Sequence, residues 1–204
     1  MNIYTYYDIV PQMLEDTQLE LIEIWKESWI KNGWNPIVLN SSYLRCTENE
    51  IEYLNNLPSV NPKVYEMACF LRWNSMISVG GGWMCDYDVI NCGFTPEDSK
   101  NYESLSILQG HVPCLVYGEK EDYEKVFKIF STESLNFTIS HKDDIKHTSD
   151  MIVILNIKDR ESFIKCHNQV DSFPKKESST IVHCSANKCA ESNLSKKEAM
   201  LSIL

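Results

Sequence analysis

Glycine is scarce in this 204-residue sequence, which has only seven, and three of them are the consecutive Gly80, Gly81 and Gly82. No glycine-rich basic loop occurs at residues 6–14, after the first predicted strand, so the usual phosphate loop of a nucleotidyltransferase is missing. The sequence has no repeat and no low-complexity tract, which excludes solenoids and disordered linkers. With 43% hydrophobic residues, it predicts one packed domain over residues 1–204.

Long hydrophobic runs are also missing. The longest strongly apolar stretch, at residues 151–155, is far shorter than the roughly 20 residues that a membrane span needs. The N-terminus has neither the basic flank nor the apolar stretch of a signal peptide. We therefore expect a cytoplasmic protein with no membrane span in this chain.

Basic residues are outnumbered: 19 Lys and Arg face 29 Asp and Glu, giving a formal net charge of −10. Proteins that grip a nucleic-acid backbone by bulk charge carry basic surfaces, so we expect no nucleic-acid partner. A small anion held by a few placed cations or by a metal remains compatible with this charge.

No Cys-x-x-Cys pair occurs, although the chain has eight cysteines. Zinc sites need closely spaced ligand pairs, and only His183, Cys184 and Cys189 approach such a spacing. A chain of this length needs no disulfide staples. The sequence predicts reduced thiols that pack as small hydrophobic side chains.

The N-terminal part predicts a strand, a helix and a second strand. The strands cover residues 2–7 and 36–40, and an amphipathic helix covers about 14–31. Pro11 helps to end the first strand. A strand–helix–strand unit is typical of a parallel sheet with helices on its faces, so the predicted fold class is α/β with a largely parallel sheet.

A second helix is predicted at residues 63–79, with Val64, Ala68, Leu71 and Ser75 on its inner face. It ends at the three glycines. Further elements are predicted in the second half: strands at 104–108, 112–117 and 180–184, a helix at 121–130, an ambiguous apolar run at 151–157, and a helix from residue 194. The apolar final turn fits a docked C-terminal helix and a domain of a longer polypeptide equally well.

A short strand predicted at residues 83–90 carries two carboxylates, on Asp86 and Asp88. Residues two apart in an extended segment point to the same side, so both carboxylates face one way and Tyr87 faces the other. Two such charges repel each other unless a cation lies beside them. Mg²⁺ and Mn²⁺ prefer oxygen ligands and leave positions open for phosphate oxygens. The pair therefore predicts a divalent-cation site, and two exposed turn aspartates are the alternative.

These residues resemble a known signature. The segments 68–73 (Ala-Cys-Phe-Leu-Arg-Trp), 81–83 (Gly-Gly-Trp) and 86–89 (Asp-Tyr-Asp-Val) are similar to the DXD sugar-binding region of GT-A glycosyltransferases. Cys69 stands where the family has an aspartate, and Trp83 where it has a tyrosine. The rest of the chain agrees with this family in layout. The chain also resembles the small GT-A domains that occur in multi-domain glycosyltransferases of large DNA viruses.

The resemblance implies a GT-A fold with one Rossmann-like mixed sheet flanked by helices. The part up to about residue 95 would bind the nucleotide sugar, and the remainder would form the acceptor side and a closing C-terminal loop. The resemblance also implies that the same polypeptide could contain further catalytic domains. If the chain is viral, it would act in the host cytoplasm.

It also implies roles for individual residues. Asp88 resembles the direct metal ligand, and Asp86 the residue that reaches the metal through water or holds the ribose. Arg72 resembles the arginine on the donor's sugar or phosphate, with a salt bridge to Glu66 or a solvated helix face as the alternative. His183 resembles the third metal ligand and Lys188 the cation on the diphosphate. An imidazole beside two carboxylates suits Mn²⁺ somewhat better than Mg²⁺.

In this fold the nucleotide base lies at the end of the first strand. Thr5 and Tyr6 offer a hydroxyl and a stacking face there, and Asp8 and Asn40 offer polar groups for a pyrimidine edge; packing within the strand is the alternative for each. On the acceptor side, Asp150 is a candidate general base or donor-sugar contact.

The acidic pair at 143–144 competes with Asp150 for that role and fits a solvated charge cluster better. The predicted function is therefore sugar transfer from a nucleoside diphosphate sugar, with a UDP-sugar expected first, to a glycan acceptor. The alternatives are a haloacid-dehalogenase-like phosphatase, a nucleotidyltransferase and a non-catalytic sugar-nucleotide-binding module.

Overall fold

A computed structural model describes residues 1–10, 15–132 and 147–204 of the chain. Pro11, the first residue of the helix predicted at 14–31, and the acidic pair at 143–144 lie outside the described residues. The remaining predicted elements can be compared with the structure directly.

The centre of the fold is a six-stranded mixed sheet in the order β2-β1-β3-β6-β5-β7. Its strands are β1 (Asn2–Tyr6), β2 (Asn35–Leu39), β3 (Gly81–Cys85), β5 (Ser106–Gln109), β6 (Val112–Glu119) and β7 (Lys165–Cys166). Strand β1 pairs in parallel with both β2 and β3, so the carboxyl ends of these three strands meet at one edge of the sheet. The predicted N-terminal βαβ unit is confirmed.

The sheet is less parallel than the βαβ unit suggests. Strand β6 runs antiparallel to both β3 and β5, while β5 and β7 are parallel. A second sheet, in the order β4-β9-β8, is built from β4 (Val89–Asn91), β8 (Asp171–Ser172) and β9 (Ile181–His183). The expectation of a single sheet is therefore wrong: the strand predicted at 83–90 ends at residue 85, and its continuation pairs with β9 instead.

Helices cover both faces of the large sheet. They are α1 (Glu15–Lys31), α2 (Glu48–Asn56), α3 (Lys63–Val79), α4 (Lys120–Phe130), α5 (Asp150–Asn156), α6 (Ala186–Glu191) and α7 (Lys196–Leu201). Alternate residues of β3 face opposite cores: Trp83 and Cys85 pack on the side of α1, and Met84 packs on the side of α3 and α4. The run predicted as ambiguous at 151–157 is the helix α5.

Helix α3 has the predicted bounds but a different inner face. Phe70, Trp73 and Met76 are buried, whereas Val64 is 41% exposed. Of the other three residues predicted for the inner face, Ser75 is buried, and Ala68 and Leu71 are partly buried. The larger side chains take the core because they remove more apolar area from water, and two of them pack edge to face on one ring of α4.

The glycine triplet joins α3 to β3. Gly80 ends α3 in the left-handed conformation (φ 88°), and Gly81 also has a positive φ of 85°. A Cβ on Gly81 would lie 2.6 Å from the backbone nitrogen of Lys120, at the start of α4. Only glycine fits that approach. The triplet lies at the amino end of β3, one strand length away from the carboxylates that follow its carboxyl end.

Candidate metal and anion site

The two aspartates lie in a tight turn between β3 and β4 and not in an extended strand. The amide of Val89 donates to the carbonyl of Asp86 (3.1 Å), which closes a four-residue β-turn through Tyr87 and Asp88. The amide of Asp86 donates to the carbonyl of Cys114 on β6 (2.8 Å). The turn, and not strand alternation, brings the two carboxylates together.

Two tryptophans on α1 fix both ends of this turn. The indole nitrogen of Trp25 donates to Cys85 Sγ (3.4 Å), and that of Trp29 donates to the carbonyl of Val89 (3.1 Å). Trp25 and Trp29 are four residues apart and therefore lie on one face of the helix. Both are fully buried, so the turn rests on a rigid support.

Arg72 joins Asp86 to the first residue of α5. Its Nη1 donates to Asp86 Oδ1, and its Nη2 and Nε donate to Asp150 Oδ2 (2.6 and 3.2 Å). Trp73 Nε1 also donates to Asp150 Oδ2 (3.1 Å), and the amide of Met151 donates to Oδ1 (2.7 Å). Both oxygens of Asp150 are thus engaged, and its side chain is only 5% exposed.

Asp88 has a different set of partners. Lys196, on α7, donates from Nζ to Asp88 Oδ2, while His183 Nε2, at the end of β9, lies 3.5 Å from Asp88 Oδ1. The other imidazole nitrogen of His183, Nδ1, is 2.7 Å from Oε1 of Gln109 on β5. The amide of Cys184 donates to the carbonyl of Asp88 (2.8 Å), which ties the turn to β9.

The ligand atoms present fit a divalent cation. One ligand atom each from Asp86, Asp88 and His183 lie within 4.8 Å of one another, and this is the one such group within residues 1–10, 15–132 and 147–204. One oxygen of each carboxylate binds a cation of the chain, Arg72 or Lys196. Within the described residues the other oxygen of each pairs with no lysine or arginine. Two carboxylate oxygens and an imidazole nitrogen are a donor set that suits Mn²⁺.

Burial and charge act against each other in this cluster. Burial lowers the pKa of the Arg72 guanidinium, but Asp150 and Asp86 outweigh it, so that pKa is raised further. Burial raises the pKa of Asp88, but Lys196 outweighs it and brings the pKa below its usual value. Asp88 and Arg72 are therefore both charged at neutral pH, and each is compensated by an opposite charge.

Of the four residues expected near a nucleotide base, Thr5 and Tyr6 are buried, whereas Asp8 and Asn40 are partly or fully exposed. Thr5 is buried in β1, and its hydroxyl has no hydrogen-bond partner among the residues that the structure describes. Tyr6 is buried at the end of β1, and its hydroxyl donates to Asp8 Oδ2 (2.7 Å). Asn40, after β2, is exposed and its side chain accepts from the amide of Ser42. Asp8 and Asn40 follow strands that end at the same sheet edge as β3.

The lysine that contacts Asp88 is one that the sequence analysis did not name. Lys188 lies on the exposed side of α6, where it pairs with Glu191 (2.6 Å). Lys196 reaches Asp88 instead, and sequence reasoning missed it. Arg72 likewise pairs with Asp86 and Asp150, and not with Glu66, which accepts from Ser59 and Asn61. No spacing in the sequence singles out Lys196, because α7 approaches the turn through tertiary packing.

In its fold the chain is similar to the crystal structure of a glycosyltransferase that is involved in the glycosylation of the major capsid of PBCV-1. The two share a TM-score of 0.51 and 12% sequence identity over 98% of each chain. At this identity the likeness shows a common fold alone. A family model, described as a domain of unknown function (DUF8765), matches residues 1–197, and the chain belongs to that family. No curated protein matches the sequence significantly.

Along the part of the chain that the structure describes, none of the helices has the length and apolar character to cross a membrane.

Proposed function

We propose that this chain is a metal-dependent glycosyltransferase of GT-A type, which moves a sugar from a nucleoside diphosphate sugar to a hydroxyl of a carbohydrate acceptor. One observation carries the proposal: Asp86, Asp88 and His183 form a cation-sized cluster beside Arg72 and Lys196. This cluster lies at the sheet edge where α/β proteins bind ligands. The shared fold supports the same class of reaction.

The charge of the site explains why a metal would be required. Its three carboxylates face two permanent cations, Arg72 and Lys196, which leaves a formal charge of −1 when His183 is neutral. A diphosphate is itself an anion, so it gains little from this site alone. A divalent cation raises the formal charge to +1. Mn²⁺ or Mg²⁺ held by Asp86, Asp88 and His183 would therefore make the site attractive to the donor's diphosphate.

The chain's own residues then have separate roles. The planar guanidinium of Arg72 is held on both sides by carboxylates. Its remaining N–H groups are therefore already oriented to donate to sugar or phosphate oxygens. Lys196 supplies a positive charge where the diphosphate leaves. The bound metal supplies Lewis-acid stabilisation of that leaving group. Asp150 holds Arg72, and this role differs from the general base expected from sequence.

A thermal-shift series with Mn²⁺ and UDP-, GDP- or CDP-sugars tests the proposal. We expect one nucleotide class to stabilise the protein, and only when Mn²⁺ is present. A ligand at 100 times its Kd stabilises a protein by about 2.7 kcal/mol. For a domain of this size that corresponds to a Tm increase of roughly 5–11 °C.

Two outcomes of the series would decide against the proposal. An equal shift in EDTA would show that the metal does not prepare the site. Metal-dependent binding without any release of nucleoside diphosphate, even with glycan acceptors, would identify a sugar-nucleotide-binding module instead of an enzyme.

Replacing Lys196 by methionine should separate metal binding from donor binding. Asp88 loses a competing cation, so we expect Mn²⁺ to bind as tightly as before or several-fold more tightly. The donor loses a charge-assisted contact, and its affinity should fall by about 10-fold, equivalent to about 1.4 kcal/mol. Isothermal titration of each ligand in turn measures both changes.

The neighbouring Lys197 offers a matched control. It pairs with Glu20 on α1 (2.9 Å), at the surface of the same helix. Lys197→Met should leave both affinities unchanged. If Lys196→Met weakens Mn²⁺ and donor equally, Lys196 supports the turn and is not a donor contact.

A further inference from the structure

Gln109 lies at the end of β5, where the large sheet meets the small one. Its Oε1 is 2.7 Å from His183 Nδ1, and its Nε2 donates to Ser172 Oγ (3.2 Å). Ser172 and His183 are register partners in β8 and β9. The Cys114 thiol, on β6, donates to the same Oε1 (3.2 Å). One amide therefore links the candidate metal ligand to both sheets.

These contacts fit one orientation of the amide. An amide oxygen only accepts hydrogen bonds and an amide nitrogen only donates them. The oxygen faces the thiol, which can donate to it, and the nitrogen faces a serine hydroxyl, which can accept from it, so both contacts fit this orientation. Because the Gln109 oxygen faces His183 Nδ1, a hydrogen bond between them requires that Nδ1 carry a proton. A neutral imidazole carries one proton, so Nε2 keeps its lone pair.

That lone pair faces an acceptor. His183 Nε2 lies 3.5 Å from Asp88 Oδ1, while Asp88 Oδ2 is engaged by Lys196. Two acceptors that face each other at this distance repel, and the arrangement is stable when a cation lies between them. Metal-binding histidines usually donate their second N–H to a nearby oxygen, which sets the tautomer and the ring orientation.

We propose that Gln109 is a positioning residue that holds His183 in its Nδ1–H tautomer and so presents the Nε2 lone pair to a divalent cation beside Asp86 and Asp88. The inference rests on the metal site of the proposed function. It does not require that the reaction be glycosyl transfer, because it concerns only how the chain orients a metal ligand.

The tautomer is measured directly by ¹⁵N NMR of histidine-labelled, metal-free protein at neutral pH. The signals of His183 are assigned by their loss in His183→Asn. We expect the proton on Nδ1 in the wild-type protein, and a change toward Nε2–H in Gln109→Leu. A wild-type His183 with its proton on Nε2, or on both nitrogens, overturns the proposal.

Metal affinity gives a second readout, with Mn²⁺ alone as the probe in calorimetry or electron paramagnetic resonance. Gln109→Leu should bind Mn²⁺ about 10–100-fold more weakly. Gln109→Glu keeps an acceptor for Nδ1–H and should restore wild-type affinity to within several-fold. Gln169→Leu, the same change at an exposed glutamine whose side chain contacts Thr180, should bind as the wild type does.

The outcomes separate this inference from the proposed function. Wild-type Mn²⁺ affinity in Gln109→Leu overturns the role of Gln109 and leaves the metal site intact. A wild-type protein that binds no Mn²⁺ at millimolar concentration overturns both the metal site and the role of Gln109 toward it. If Gln109→Leu fails to fold, the wild-type tautomer still decides.

Discussion

Replacing Asp88 by asparagine is expected to remove Mn²⁺ binding and, with it, turnover of the donor. The substitution keeps the size of the side chain and one oxygen, but it removes the charge that a divalent cation needs. We expect both Mn²⁺ affinity and the rate of donor turnover to fall at least about 100-fold, equivalent to about 2.7 kcal/mol. Calorimetry with Mn²⁺ and an assay of nucleoside diphosphate release measure the two losses.

Asp171 is a matched control for this substitution. Its carboxylate, on β8 of the same small sheet, also pairs with a lysine, Lys176 (2.6 Å), but it lies outside the cluster. Asp171→Asn should retain metal binding and turnover. The fold of Asp88→Asn should also persist, because the ammonium that it leaves unpaired, on Lys196, is 31% exposed and remains partly hydrated. Full metal-dependent turnover in Asp88→Asn would contradict the assignment of the site.

Local patterns were enough to predict the βαβ unit and α3, but they predicted neither α2 nor the end of β3 at residue 85. The βαβ unit and the bounds of α3 follow from periodicity and from glycine at the helix end, which act over a few residues. The antiparallel β6 and the second sheet were not predictable in this way, because strand pairing depends on residues far apart in sequence. Val89 of β4 pairs with His183 of β9, and no local signal links the two.

The same distinction applies to the site. The Asp-x-Asp pattern and His183 stand out because their side chains suit one chemistry. Lys196 and Gln109 do not, since each becomes relevant only through the packing of α7 or β5 against the turn. The sequence does give a signal for the support of the turn. Trp25 and Trp29 are large aromatic residues four apart on one amphipathic helix, and such a pair is typical of a rigid packing surface.

Asp150→Ala distinguishes two roles of the Asp150 carboxylate, namely positioning Arg72 and acting as a general base. The substitution leaves Arg72, whose side chain is 11% exposed, without its main partner and removes an acceptor from Trp73. Loss of one member of a buried ion pair costs about 3–5 kcal/mol. We therefore expect the Tm to fall by roughly 6–20 °C in calorimetry or circular dichroism.

Activity should fall together with stability if Asp150 positions Arg72. Donor affinity should drop, because Asp86 alone then holds the guanidinium and its orientation is less fixed. Asp150→Asn keeps two acceptor positions on one oxygen and should lose less of both. Glu97→Ala removes an exposed ion pair with Lys100 and should change stability by less than about 1 kcal/mol. A general base would behave differently: kcat would fall at unchanged Tm and unchanged donor affinity. That result would restore the role first expected from the sequence, and it would require Asp150 to release Arg72 when an acceptor binds.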